Sequence, residues 1–175
     1  MTHGIFKASR LLGVVPALVL GMACSSSNPA DIPRACTLIG CVDGLNIELE
    51  PNSAWPAQDY LFLVDADGVQ VRCTGAIPLP ACSAGRALTC TPAGIVTIAE
   101  SGCALPASAQ GFAQITFATT LRPRRVRVSI VETTTPLNRV LATADLSPEF
   151  RTSQPNGPDC PPTCTQAQGR ISVRF

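Results

Sequence analysis

Apolar and polar residues alternate along much of this chain with a period of two, the signature of half-buried β-strands. In "LNIELE", Leu45, Ile47 and Leu49 fall on one face, and Asn46, Glu48 and Glu50 on the other. Tyr60 to Val64 is apolar on both faces, which predicts a strand in the interior of a sheet. Asp67-Gly68 then turns the chain into "VQVRC", where Val69, Val71 and Cys73 share a face. Asp-Gly between two such runs predicts a hairpin, because both residues adopt positive φ readily. "RALTC", "GIVTIAE", "FAQITFAT", "RRVRVSIVET", "NRVLATADLS" and "GRISVRF" continue the style, separated by Pro-Ala-Gly, Ser-Gly, Arg-Pro-Arg and Thr-Thr-Pro-Leu. No segment sustains a helical apolar period, and 15 of the 16 prolines fall after the first twenty residues, where they would break helices. Short strands spaced by roughly 8–14 residues predict an all-β fold: a single antiparallel β-sandwich of immunoglobulin-like type.

The first residues break this pattern. Leu11–Leu20, "LLGVVPALVL", is an uncharged apolar run preceded by His3, Lys7 and Arg10 without an acid. A basic start, a short apolar run and small residues before a cut (Gly21 and Ala23) predict a signal peptide over residues 1–23. The run is too short to cross a bilayer, which takes roughly 20 apolar residues. "LGMAC" resembles a bacterial lipobox, with Gly21 where leucine is commonest. The resemblance implies a diacylglycerol thioether on Cys24 and a membrane anchor; the serine run after Cys24 suits a flexible tether over residues 24–35, leading to the sandwich domain at 36–175. Ser25 after the cysteine, rather than Asp, implies the outer membrane by lipoprotein sorting rules. Cleavage by ordinary signal peptidase, and free secretion, is the alternative.

Cysteine parity bears on that choice. Of the 9 cysteines, assigning Cys24 to a lipid leaves an even set: Cys36, Cys41, Cys73, Cys82, Cys90, Cys103, Cys160 and Cys164. None of the spacings is the CxxC of redox enzymes or the paired CxxC of a zinc ribbon, so export makes structural disulfides the expectation. Eight cysteines allow 105 connectivities. "GCVDGLNIELE" and "GRISVRF" are the expected first and last strands, often neighbours in a sandwich, and each follows a cysteine pair. Pairing of the terminal clusters with each other, and of the middle four among themselves, is therefore expected.

Removing 23 residues from 175 leaves 152, one domain's worth. The removed segment carries the chain's one histidine, its lysine and both methionines, so 11 arginines face 12 carboxylates for a net charge of −1. Near-neutrality gives no electrostatic footprint for nucleic acid. Without histidine or lysine, histidine-based triads, histidine-containing zinc sites and Schiff-base chemistry are excluded. Carboxylate-only catalysis, cysteine redox chemistry or no catalysis are left, and no catalytic motif, metal site or cofactor site is visible.

The remaining motifs are modest. "DADG" (Asp65–Gly68) opens like a calcium loop but lacks its distal acidic ligands, so a hairpin turn is the better reading. In "RPRRVRV", Arg125, Arg127 and Ser129 project to one strand face while Val126, Val128 and Ile130 enter the core. This arginine stripe could take phosphate, sulfated glycan or anionic headgroups; the plainer reading is a solvated strand face beside Glu132. Trp55, in the loop before Tyr60, is either a binding platform or the cap of a sandwich core. "SQPNGPDCPPTC" reads as a stapled connector.

"WPAQDYLFLVDADG" resembles the strand entry of prealbumin-like and immunoglobulin-like surface modules. "GCVDGL", "IPLPAC", "ESGCALP" and "SQPNGPDCPPTC", with the lipobox-like start, resemble cysteine-rich bacterial lipoproteins of the kind found in myxobacteria. That resemblance implies location and fold and brings no activity. The expected protein is an exported, lipid-anchored, non-catalytic envelope component, structural or binding, whose partners are the membrane and an envelope protein or glycan. A freely secreted binding protein and an exported enzyme, thiol–disulfide exchange foremost, are the alternatives.

Overall fold

The computed structural model describes residues 36–133 and 138–175, and the described compact unit is Cys36–Phe175. The expected signal peptide, Cys24, the tether and the Thr-Thr-Pro-Leu turn lie outside the described residues. Ten strands follow in order: β1 (Gly44–Pro51), β2 (Asp59–Ala66), β3 (Val69–Ala76), β4 (Thr89–Thr91), β5 (Val96–Ser101), β6 (Gly111–Phe117), β7 (Val126–Glu132), β8 (Arg139–Leu146), β9 (Arg151–Ser153) and β10 (Cys164–Val173). Among the described residues, two three-residue 3₁₀ turns, Cys82–Ala84 and Ala107–Ala109, interrupt the connections.

The strands form two five-stranded sheets, ordered β5-β6-β1-β10-β9 and β4-β3-β2-β7-β8. Alternation decides which side chains meet between them. Leu45, Ile47 and Leu49 of β1 and Val126, Val128 and Ile130 of β7 are buried, while Glu48, Glu50 and Arg127 point out. Inward residues of both sheets belong to one apolar core, as the sandwich reading requires. β2 lies at the centre of its sheet, with Tyr60, Phe62 and Val64 in the core and Leu61 and Leu63 on the outer face, where Leu61 is buried and Leu63 exposed. The Asp67-Gly68 turn has φ of 51° and 90°, and the Gly68 N–H donates to Asp65 Oδ1 at 2.9 Å.

One pairing departs from an all-antiparallel sandwich. β1 and β10, the first and last strands, are neighbours as expected, but they run parallel, from Gly44 opposite Gln166 to Pro51 opposite Val173. A period-two pattern is the same read in either direction, so it predicts adjacency and burial without strand sense. Every other ladder is antiparallel.

The terminal cysteines pair with each other, Cys36 with Cys160 and Cys41 with Cys164, and the middle four as Cys73–Cys90 and Cys82–Cys103. Polar side chains complete the terminal clip. Asn156 Oδ1 accepts the Thr37 hydroxyl at 2.6 Å and the Ile39 N–H at 2.9 Å, and Nδ2 donates to Ile39 O at 3.0 Å. Asp43 Oδ1 accepts the Thr165 N–H at 2.7 Å and faces Arg122 at 3.3 Å. The connector "SQPNGPDCPPTC" is thus bound covalently and by hydrogen bonds to the segment that precedes β1.

Candidate functional site

With the inward side chains filling the core, surface chemistry is set by the outward rows of each sheet. On the first sheet these are amides, a hydroxyl and paired charges: Asn46 lies between Thr116 and Gln168, and Glu48 between Gln114 and Arg170. Arg170 forms ion pairs with Glu48 at 3.6 Å and Glu50 at 3.3 Å, leaving this face polar and balanced.

The second sheet presents a different face. Leu63, 39% exposed, stands between Arg72 and Ser129; one row on, Asp65 stands between Gln70 and Arg127. Together with Thr91 they line a shallow concavity of about 490 Å³. Arg127 meets its cross-strand neighbour Asp145, with Nε donating to Oδ1 at 2.7 Å, and this hydrogen bond raises the arginine's pKa further. An adjoining hollow of about 570 Å³ is lined by Asp65, Asp67, Arg124, Arg125, Arg127 and Ser147. The two arginines of the expected stripe are therefore exposed and brought to one corner, interlaced with carboxylates rather than standing as a field of one sign.

Asp67 anchors that corner. Its carboxylate accepts the backbone N–H groups of Arg124 at 2.8 Å and Arg125 at 2.9 Å, and its own N–H donates to Arg125 O at 3.1 Å. Those two backbone donors hold its carboxyl below the usual carboxylate range. A carboxyl kept ionised serves here as a latch between the β2–β3 turn and the entry to β7, and is unsuited to donate a proton. Asp65 spends an oxygen on its own turn. No cluster of three or more His, Cys, Asp or Glu side chains among the described residues could hold a metal ion.

Trp55 is not a platform. It is 5% exposed and sits edge-on to Tyr60, Phe112 and Phe175, with ring centroids 5.1, 5.0 and 5.1 Å away. It seals one end of the core, because the rings of β2, β6 and the C-terminal residue converge there and leave no room for a ligand. The Tyr60 hydroxyl donates to Pro56 O at 2.7 Å; burial foremost, with the charge of Glu132, pushes its pKa up to about 12, against an opposing effect of Arg139.

Sequence reasoning did not single out Leu63, Arg72 or Asp145, which complete the exposed face. β2 is apolar at every position from Tyr60 to Val64, so its phase is ambiguous without its neighbours, and Asp145 reaches Arg127 only through the β7–β8 register. Comparison with family models, curated proteins and solved structures finds no match for this chain. The fold and its surface define a class: a disulfide-stapled β-sandwich whose distinctive chemistry lies on its outer faces and at its clipped end.

Proposed function

We propose that this protein is an exported, non-catalytic module of the bacterial envelope, anchored by acyl chains on Cys24, whose immunoglobulin-like sandwich presents the outer face around Leu63, Arg72 and Arg127 to an envelope protein or glycan. The observation that carries the reading is the disulfide pattern. All eight cysteines from Cys36 onward are consumed in four bonds, so Cys24 has no cysteine left in the chain to pair with. Such bonds persist in an oxidising compartment. A cysteine left over behind a signal-like run, in a lipobox-like setting, fits a lipid attachment point.

The immunoglobulin-like reading is supported by strand order. β8-β7-β2-β3-β4 follows the G-F-C-C′-C″ sheet of a variable-type domain, and β5-β6-β1 follows D-E-B, with β10 in the place of strand A. The non-catalytic reading is supported by the absence of histidine and lysine after Cys24 and by the structural use of Asp65 and Asp67.

Mass spectrometry of the N-terminal peptide of the membrane-fraction protein tests the anchor. Cleavage before Cys24 with a diacylglycerol-modified cysteine is expected. An unmodified Cys24 overturns anchoring, and retention of residues 1–23 with reduced thiols overturns export. Thiol titration of the folded protein tests the non-catalytic part: all eight later cysteines are expected to be blocked and slow to reduce. One rapidly cycling pair would revive thiol–disulfide exchange.

A further inference from the structure

Cys36–Val42, "CTLIGCV", carries no charge and presents three large apolar side chains to solvent: Leu38 is 99% exposed, Ile39 54% and Val42 60%. Among the described residues the other exposed large apolar ones, Leu63, Val69, Leu105 and Val140, are distributed over β2, β3, the connection before β6, and β8. Three such residues fall within five positions, Leu38 and Ile39 inside the loop fixed at both ends by Cys36–Cys160 and Cys41–Cys164 and Val42 directly after it, and form an apolar tip on a restrained backbone. A backbone already restrained loses little freedom on docking, and exposed apolar patches mark interaction surfaces.

The backbone at the middle of the tip is also prepared to leave water. The Ile39 N–H and C=O are both satisfied by the Asn156 side chain, so residue 39 carries no orphaned polar group into an apolar phase. The first charge after the tip, Asp43, is turned to Thr165 and Arg122. Position along the chain identifies the occupant. Twelve residue steps separate Cys24 from Cys36, so at roughly 3.3–3.6 Å each the base of the tip can lie no further than about 43 Å from Cys24.

We propose that Leu38, Ile39 and Val42 seat in the interfacial layer of the bilayer that holds Cys24, so that the sandwich stands with its clipped end on the lipid. This rests on the anchored reading above. The acyl chains supply attachment and the tip supplies orientation, holding both sheet faces upright and free. Amphipathic segments seat in this way by burying apolar side chains among headgroups and acyl chains.

The test uses the mature, exported protein with Leu38→Trp, reconstituted in vesicles of phosphatidylcholine and phosphatidylglycerol whose acyl chains are brominated. The substitution is at a solvent-exposed site and leaves the core untouched. The added tryptophan is expected to shift to the blue and to lose at least about half its emission to bromine, while Trp55, buried in the wild type, stays unquenched. Val140→Trp, on β8, is expected to be quenched far less. Unquenched emission from Leu38→Trp, with Cys24 shown by mass spectrometry to be acylated, overturns the tip and leaves the anchor standing. Equal quenching of the Leu38 and Val140 variants overturns the orientation. Emission shielded from aqueous iodide in native membranes but untouched by brominated lipid puts a protein on the tip and overturns the proposal. Quenching without acyl chains keeps the tip and removes the anchor.

Discussion

Tyr60 is the chain's one tyrosine, so its titration can be followed without interference. Its phenol is pushed from an ordinary 10.0 to about 12, first by burial and then by the charge of Glu132. A group whose folded pKa is raised contributes stability that is complete below the unfolded value and is lost as pH rises through the folded one. Stability should hold up to about pH 10, fall from 10 to about 12, and show no further dependence on this group above that. Tyrosinate absorbance after a rapid pH jump should report a midpoint near 12, moving to near 10 in urea. The same aromatic cluster sets a second expectation at Gly111. A Cβ there would overlap the indole of Trp55, which Tyr60, Phe112 and Phe175 hold on three sides. Gly111→Ala should therefore destabilise the fold by about 1–3 kcal/mol, the usual cost of overpacking, with a changed Trp55 emission spectrum and a lower thermal midpoint as the readouts.

Elements are joined by short polar devices, of which Asp67 is the clearest. Its two backbone donors hold its pKa below the usual range, so it contributes stability above the ordinary carboxylate value that is lost as pH falls through the folded one. Asn tolerates the positive φ at this position and keeps the side-chain shape while removing the charge. Asp67→Asn should lower the urea midpoint at neutral pH, and the gap from wild type should close progressively as acid protonates the wild-type carboxyl. A gap that stayed constant down to strong acid would show that the latch does not depend on charge. At this scale much of the fold is legible in the sequence. β1, β3 and β5 to β8 announce themselves by alternation, β2 by its continuous apolar run, β4 only through the stretch "RALTC" that ends in it, and the β2–β3 hairpin by Asp-Gly. β9 is missed because three residues carry no period. The first half of β10 is missed because Thr165, Gln166 and Gln168 are polar and its inward residue there, Ala167, is too small to register as a core position. The exposure of Arg125 and Arg127 follows from their strand phase; the carboxylates that interlace them come from β2, its turn and β8, and only the register brings them together. Trp55 could not be placed from its loop, since Phe175 and Phe112, which close over it, are far away in the chain.

At the scale of the whole molecule, the clip between the termini dominates. Cys36–Cys160 and Cys41–Cys164 interleave, with sequence separations of 124 and 123. In the chain-entropy picture, the first of them to form constrains a very long loop, worth about 5 kcal/mol. Once it is present, the second closes only a small ring of about ten residues, running from 36 to 41 and back from 164 to 160, worth about 2.5 kcal/mol. Replacing either pair alone by serine should therefore cost about 2.5 kcal/mol, whereas replacing both should cost about 7.5, well above the sum of the two single losses. A loss of that size approaches the whole stability of a typical domain, about 5–15 kcal/mol. The doubly replaced protein should thus be largely unfolded near body temperature, while each single replacement folds with β1 still paired to β10. Urea unfolding of the four proteins in the cycle, at one pH and with the Cys73–Cys90 and Cys82–Cys103 bonds intact, measures the excess. Strict additivity would mean that each bond acts through local native contacts, including those of Asn156 and Asp43. The excess would mean that the clip works by restraining the unfolded chain, which ties folding of this sandwich to a compartment where the bonds can form.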